Sequence, residues 1–203
     1  MKFRSILISS VMGLPAFFSA CDPAFQAEYS NPDAVEIVDD RWNETDARKT
    51  AEILISSMLS KPWLNEFNRA HGQKPILIVD DIENSTAEHI DTKAIGEALL
   101  HELINSGQIR FVDASRRDKI LKEVKYQQES GMVAEASRKK TGRQMGADFL
   151  MGGGISTQVH MQGGLKTVSY TTFLKLTNLE TAEVVWTEKY DIKKRFKRSG
   201  AGW

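Results

Sequence analysis

Apolar positions change their spacing several times along this chain, and each change marks an element. Ala51, Leu54, Ile55, Met58 and Leu59 recur at helical spacing from about Asn43, with Thr45 as the expected N-cap. Pro62 stops that helix and opens a short second one carrying Trp63, Leu64 and Phe67. Ile76-Leu77-Ile78-Val79 is an unbroken, mostly β-branched run, the pattern of a strand buried on both faces. Asp80 to Thr86 reads as a polar loop leaving it. Asp91 caps the next helix, with Ile95, Ala98, Leu99 and Leu103 inward and Gly107 as its stop. Ile109 to Val112 is a second strand. Ser115 caps a helix through Ile120, Leu121 and Val124, and a further helix is expected from Ala134 to Met145.

After Gly146 the period drops to that of strands. Phe149-Leu150-Met151 leads through Gly152-Gly153-Gly154 to Ile155, Val168 to Thr177 alternates, and Val184-Val185-Trp186 returns after a turn. Gly163-Gly164 supplies another turn. Helices interleaved with strands, followed by a meander, predict an α/β (α+β) single domain with a mixed four- to five-stranded sheet flanked by helices. There are no internal repeats.

The first residues follow a different rule. Lys2 and Arg4 precede an apolar run from Ile6 to Phe18, then Ser19, Ala20 and Cys21. That is the order of an export signal, and the run is shorter than the roughly 20 residues a membrane-crossing helix needs. Cys21 is the only cysteine. Phe18-Ser19-Ala20-Cys21 resembles a lipobox, in which the cysteine becomes the acylated first residue of a bacterial lipoprotein. The other reading is an ordinary free thiol, with no second cysteine to pair with. The expected layout is a signal peptide at 1–20, a flexible acidic tether at 21–42, a globular domain at 43–198 and a tail at 199–203.

Charge adds two local features to an even balance. Lys+Arg and Asp+Glu each number 27, which gives no global attraction to nucleic acid. Asp22, Glu28, Asp33, Glu36, Asp39 and Asp40 crowd the tether, while Lys189, Lys193, Lys194, Arg195, Lys197 and Arg198 crowd the far end. The basic run fits either a solvated, charge-protected strand edge or a surface for an acidic partner or anionic lipid.

Candidate chemistry is sparse. The glycines at 152–154 precede a strand, and no Gly-Lys-Ser/Thr follows, so a bent strand is expected in place of a phosphate loop. Asp80, Asp81 and Glu83 sit at a strand end and can be read as an acid–base or cation site, or as a loop held by its own Asx turns. His71, His89, His101 and His160 lack metal-ligand spacing. No nucleophile motif stands out, so a binding module without metal or cofactor is expected. Among the terminal aromatics, Trp186 and Tyr190 share one strand face, with Glu188 between them.

Asp81-Ile82-Glu83-Asn84-Ser85-Thr86 with Ile90-Asp91-Thr92, Asn105-Ser106-Gly107 with Arg110-Phe111-Val112, Gly146-Ala147-Asp148-Phe149, and Thr181-Ala182-Glu183-Val184-Val185-Trp186 together resemble the LpoB-type activators of class A penicillin-binding proteins. The resemblance covers roughly residues 37–190. It implies a fold similar to the TolB amino-terminal domain. It also implies a lipoprotein, monomeric and without enzymatic activity, that stimulates a bifunctional peptidoglycan synthase. Glu183 is the residue best carried over as a contact, and Tyr190, Lys193, Lys194 and Arg195 join it as expected partner-binding residues. The anchor implied is outer-membrane, facing the periplasm. Asp22 beside the cysteine and the short tether also fit inner-membrane retention. Twenty-odd residues reach at most about 75 Å, and a flexible chain averages about 25 Å. Two alternatives remain: an envelope lipoprotein of a curli-secretion-like assembly, and a hydrolase using Asp80, Asp81 and Glu83.

Overall fold

A computed structural model describes residues 29–31, 34, 35, 37 and 39–197 of the chain. The expected signal peptide, Cys21, most of the tether, Arg198 and the tail lie outside the described residues.

Helix α1 (Glu44–Ser60) starts one turn earlier than its apolar face requires, because Asn43 and Asp46 form a reciprocal capping box. Asn43, and not Thr45, is therefore the N-cap. Thr45 is buried in the first turn. Pro62 opens α2 (Pro62–His71), which closes on Gly72 in the left-handed region. The Trp63 indole donates to the Met58 carbonyl at 2.8 Å, fixing the angle between the two helices. Trp63 and Phe67 meet Phe149 edge-on, each at 5.3 Å between ring centroids.

Strand β1 (Ile76–Ser85) is longer than the apolar run that betrays it. Asp80-Asp81 makes a bulge, after which Ile82 returns to the core and pairs with Gly153. The segment expected as a free polar loop is thus strand, because its long partner continues to offer hydrogen bonds. Helix α3 (Thr92–Asn105) is capped by Asp91, whose carboxylate accepts from Lys93 and Ala94 N–H, and Gly107 follows at φ +63°. Strand β2 keeps only Arg110–Phe111 of the expected four residues.

Asp113, and not Ser115, caps the short 3₁₀ turn that leads into α4 (Arg117–Glu129). The helix expected over 134–145 is absent apart from one 3₁₀ turn at Glu135–Ser137. Its backbone groups are used elsewhere. Lys139 N–H donates to Gln127 Oε1 at 3.1 Å, and Gln128 Nε2 donates to the Lys139 carbonyl at 2.8 Å. Gly142, at φ +71°, then turns the chain out of any helical path.

Three 14-residue strands complete the sheet: β3 (Phe149–Gln162), β4 (Leu165–Asn178) and β5 (Val184–Lys197). The order is β2-β1-β3-β4-β5, parallel on the β1 side and antiparallel from β3 to β5. Gly163 and Gly164 both have positive φ, as a two-residue hairpin turn matched to strand twist requires. Asp148 ties the strand starts together: its carboxylate accepts from Ile76 N–H at 2.8 Å, and its own N–H donates to the Ile76 carbonyl at 2.7 Å.

One sheet face carries the core. Leu77, Met151, Ile155, Tyr170, Leu174 and Leu176 are buried there with Leu54 and Met58 of α1 and Leu99 and Leu103 of α3. The three glycines form a close approach within this sheet. A Cβ on Gly153 would stand 2.0 Å from the Phe173 carbonyl oxygen. On the other face the Phe173 ring lies across Gly154, covering backbone that has no side chain of its own.

Candidate functional site: the two faces of the terminal hairpin

Alternation along β5 decides the fate of the expected partner-binding residues. Trp186, Glu188, Tyr190, Ile192 and Lys194 point toward the helices, while Lys189, Asp191, Lys193, Arg195 and Lys197 point away. On the inner face, Trp186 is buried core. Glu188 accepts from Ser57 Oγ of α1 at 3.1 Å. Tyr190 is half-buried against the core, so its ring supports the fold more than it offers a surface.

Lys194 is the clearest correction to the expected contact set. Its side chain is only 4% exposed, and its Nζ lies 2.6 Å from the Asp46 carboxylate. The same ammonium donates to the Arg41 carbonyl and sits 5.9 Å from the centre of the Tyr170 ring. A buried ammonium with a carboxylate, a carbonyl and an aromatic face around it is satisfied internally. It is unavailable to a partner. No local pattern signals this, because Lys194 looks like its neighbours in a basic run.

The surroundings of Lys194 form a clamp on the chain that enters the domain. The Tyr170 hydroxyl lies 2.5 Å from Glu88 Oε1 and 2.9 Å from the Asp40 carbonyl. Burial, with Glu88 beside it, pushes the phenol far above its ordinary value, so it remains a hydrogen-bond donor. Trp42 packs edge-on against Tyr170 at 5.5 Å, and its backbone N–H donates to Glu88 Oε2 at 3.2 Å. Asp40 pairs with Lys166 of β4, which holds its carboxyl below the usual aspartate range. Residues 40–42, expected as the end of a free tether, are therefore fastened to the sheet.

The outer face offers a different chemistry. Lys189, Lys193, Arg195 and Lys197 stand in one exposed row, opposite Phe173, Ser169, Thr167 and Leu165 of β4. Asp191 is the acid within that row. It accepts from Thr171 Oγ1 at 2.6 Å and pairs with Lys189 at 3.2 Å, which together hold its carboxyl below the usual range. Lys193 and Arg195 remain as an exposed cationic pair flanking an inward-pointing lysine. Glu183 is exposed in the β4–β5 turn, at the opposite end of β5. At about 3.4 Å per residue, it lies roughly 35–40 Å from the cationic pair. The structure does not bring these expected contacts together.

Asp80, Asp81 and Glu83 are all exposed and straddle the bulge. Asp80 caps the following N–H at 2.9 Å, and Glu83 accepts from Ser85 Oγ. They do not converge on a cavity, and among the described residues no cluster has the makings of a metal site. Among the described residues, no helix is long and apolar enough to cross a membrane.

A helix-backed mixed sheet with an extended hairpin, cationic on its open face, defines an α+β domain. The chain matches the family model "Peptidoglycan-synthase activator LpoB" over residues 46–192, and it belongs to that family. The family comprises activators of penicillin-binding proteins, regulators rather than enzymes, found as envelope lipoproteins. Among solved structures, the chain is 20% identical to the LpoB C-terminal domain from Escherichia coli, covering 72% of this chain and 98% of that one with a TM-score of 0.44. The corresponding domain from Salmonella enterica is also 20% identical, covering 72% and 98%, with a TM-score of 0.41. The lipoprotein GNA1162 from Neisseria meningitidis is 14% identical, covering 64% and 88%, with a TM-score of 0.37. Curated proteins give no match.

Proposed function

We propose that this chain is a lipid-anchored, non-enzymatic regulator that binds and stimulates a bifunctional class A penicillin-binding protein. Family membership supplies the class of client. The observation that carries the docking is the exposed cationic row on the outer face of β5, with Lys193 and Arg195 at its centre. The client surface it fits is acidic. Glu183, at the far turn, is a second contact for a client domain broad enough to span the hairpin.

Cys21 is the acylated anchor, placing the domain on the periplasmic side of the outer membrane as a monomer. The cationic face then reaches outward while the opposite face stays packed on α1 and α3. Activation is a population shift. The domain binds the active conformation of the synthase more tightly, and a preference of about 1.4 kcal/mol moves the equilibrium tenfold.

The test is pull-down with the organism's own class A synthase, coupled to a turnover assay for glycan polymerisation and cross-linking. Saturating wild-type protein raises turnover, and Lys193→Glu with Arg195→Glu weakens binding at least about tenfold with a shallower salt dependence. Unchanged synthase turnover at saturating protein would overturn the activator reading.

A further inference from the structure

Between β2 and β3 lies a stretch that the docking hairpin does not explain. None of the residues of α4 is buried, and Ile120, Leu121 and Tyr126 are 45%, 42% and 52% exposed. Ile120, Leu121 and Val124 share one side of the helix at i, i+1 and i+4. Lys119, Lys122 and Lys125 lie around the remainder, and Arg116 and Arg117 stand at the helix start. Beyond the helix, Met132 is 80% exposed and Met145 41% exposed, and Arg138, Lys139, Lys140 and Arg143 fall between them. From Arg110 to Arg143 there are ten Lys and Arg against five Asp and Glu, in a chain whose total is balanced. The positive excess of this segment is therefore offset by acidic excess elsewhere.

We propose that α4 and the loop after it form a lipid-facing element that lies on an anionic membrane surface. Gln127 and Gln128 lie on either flank of the apolar strip, so the loop they hold sets Lys139, Lys140 and Arg143 beside it, while Lys119 and Lys122 share the far side of the helix with Asp118 and Glu129. An apolar strip with cations beside it suits an interfacial element, whose apolar side enters the headgroup boundary while the cations meet lipid phosphates. Charge selects this occupant. A second copy would oppose one basic face to another, whereas phosphatidylglycerol or cardiolipin headgroups complement it. Gln127 accepts from the Lys139 N–H and Gln128 donates to the Lys139 carbonyl, which holds the basic loop against the helix, so both present their charge as one unit. The role is independent of the proposed synthase binding, because Lys193 and Arg195 lie on β5, outside α4 and its loop. It orients the domain on the bilayer.

Hydrogen–deuterium exchange of the purified full chain tests this, mixed with vesicles of phosphatidylcholine alone or with phosphatidylglycerol added. Amides of α4 exchange about tenfold more slowly with the anionic vesicles, while those of β3 to β5 are unchanged. Lys139→Glu, Lys140→Glu and Arg143→Glu together abolish the difference, since each cation near an anionic surface strengthens binding about fivefold. These side chains are exposed, and an unchanged thermal midpoint checks that the variant folds. Equal α4 exchange with both vesicles overturns the proposal. So does protection that appears without lipid as protein concentration rises, or only when the synthase is added.

Discussion

Lys194 shows how little a residue's identity says about its role. It sits in a run of basic side chains, yet the pleat sends it inward to Asp46 while Lys193 and Arg195 go outward. Lys194→Met leaves the Asp46 carboxylate buried without its cation, and the expected cost is about 3–5 kcal/mol in chemical denaturation. Pairing it with Asp46→Asn removes both charges, keeps a side-chain oxygen for the Asn43 N–H of the capping box, and restores much of the loss, which distinguishes an unpaired charge from lost packing. The neighbouring acids carry a pH signature. The carboxyls of Asp40 and Asp191 are held below their ordinary value of 3.8, by Lys166 in one case and by Thr171 and Lys189 in the other. A depressed carboxyl stabilises the fold above its unfolded pKa, and that contribution disappears as pH falls through the lowered value. The melting temperature is therefore expected to hold near neutrality and drop below about pH 4. Asp40→Asn flattens that drop, as a melting series in acid buffers would reveal.

At the scale of elements, the glycine run on β3 is a packing requirement and not a ligand loop. Gly153 has no room for a methyl group, because the Phe173 carbonyl stands 2.0 Å from where a Cβ would be. Gly153→Ala must move backbone at the centre of the sheet, and a loss of about 1–3 kcal/mol is expected from overpacking alone. Gly96, on α3, has open space where a methyl group would go, so Gly96→Ala is the control that leaves stability equal or higher. Comparing the two in urea separates a crowded glycine from one that is merely tolerated. Helix α4 shows the opposite situation: an element with a clear apolar side and none of its residues buried by the rest of the fold.

At the scale of the molecule, one hairpin joins three tasks. Its inner face closes the core, its base grips residues 40–42, and its outer face displays Lys193 and Arg195. The proposed anchor at Cys21 and the proposed docking surface are thus separable in experiment. Cys21→Ser is expected to move the protein from the membrane fraction to the soluble periplasm, and the same purified variant retains full affinity for the synthase. Fractionation with immunoblotting and a binding titration check the two halves. Retention of the variant in the membrane fraction would overturn Cys21 as the anchor.

Periodicity alone determined the helices at 44–60 and 92–105, the apolar strand at 76–79 and the terminal meander, because each buries one regular stripe and the stripe shows in the spacing. Pro62, Asp91, Gly107 and Gly163-Gly164 marked boundaries for equally local reasons of dihedral freedom and capping. Tertiary structure decided what depends on partners distant in sequence. It extended β1 through a polar stretch because β3 continued beside it, and it dissolved the helix expected at 134–145 because Gln127 and Gln128 claimed the Lys139 backbone. It also split the basic run of β5 into a buried lysine and an exposed pair, since only register and the position of α1 say which face of a pleated strand meets the core.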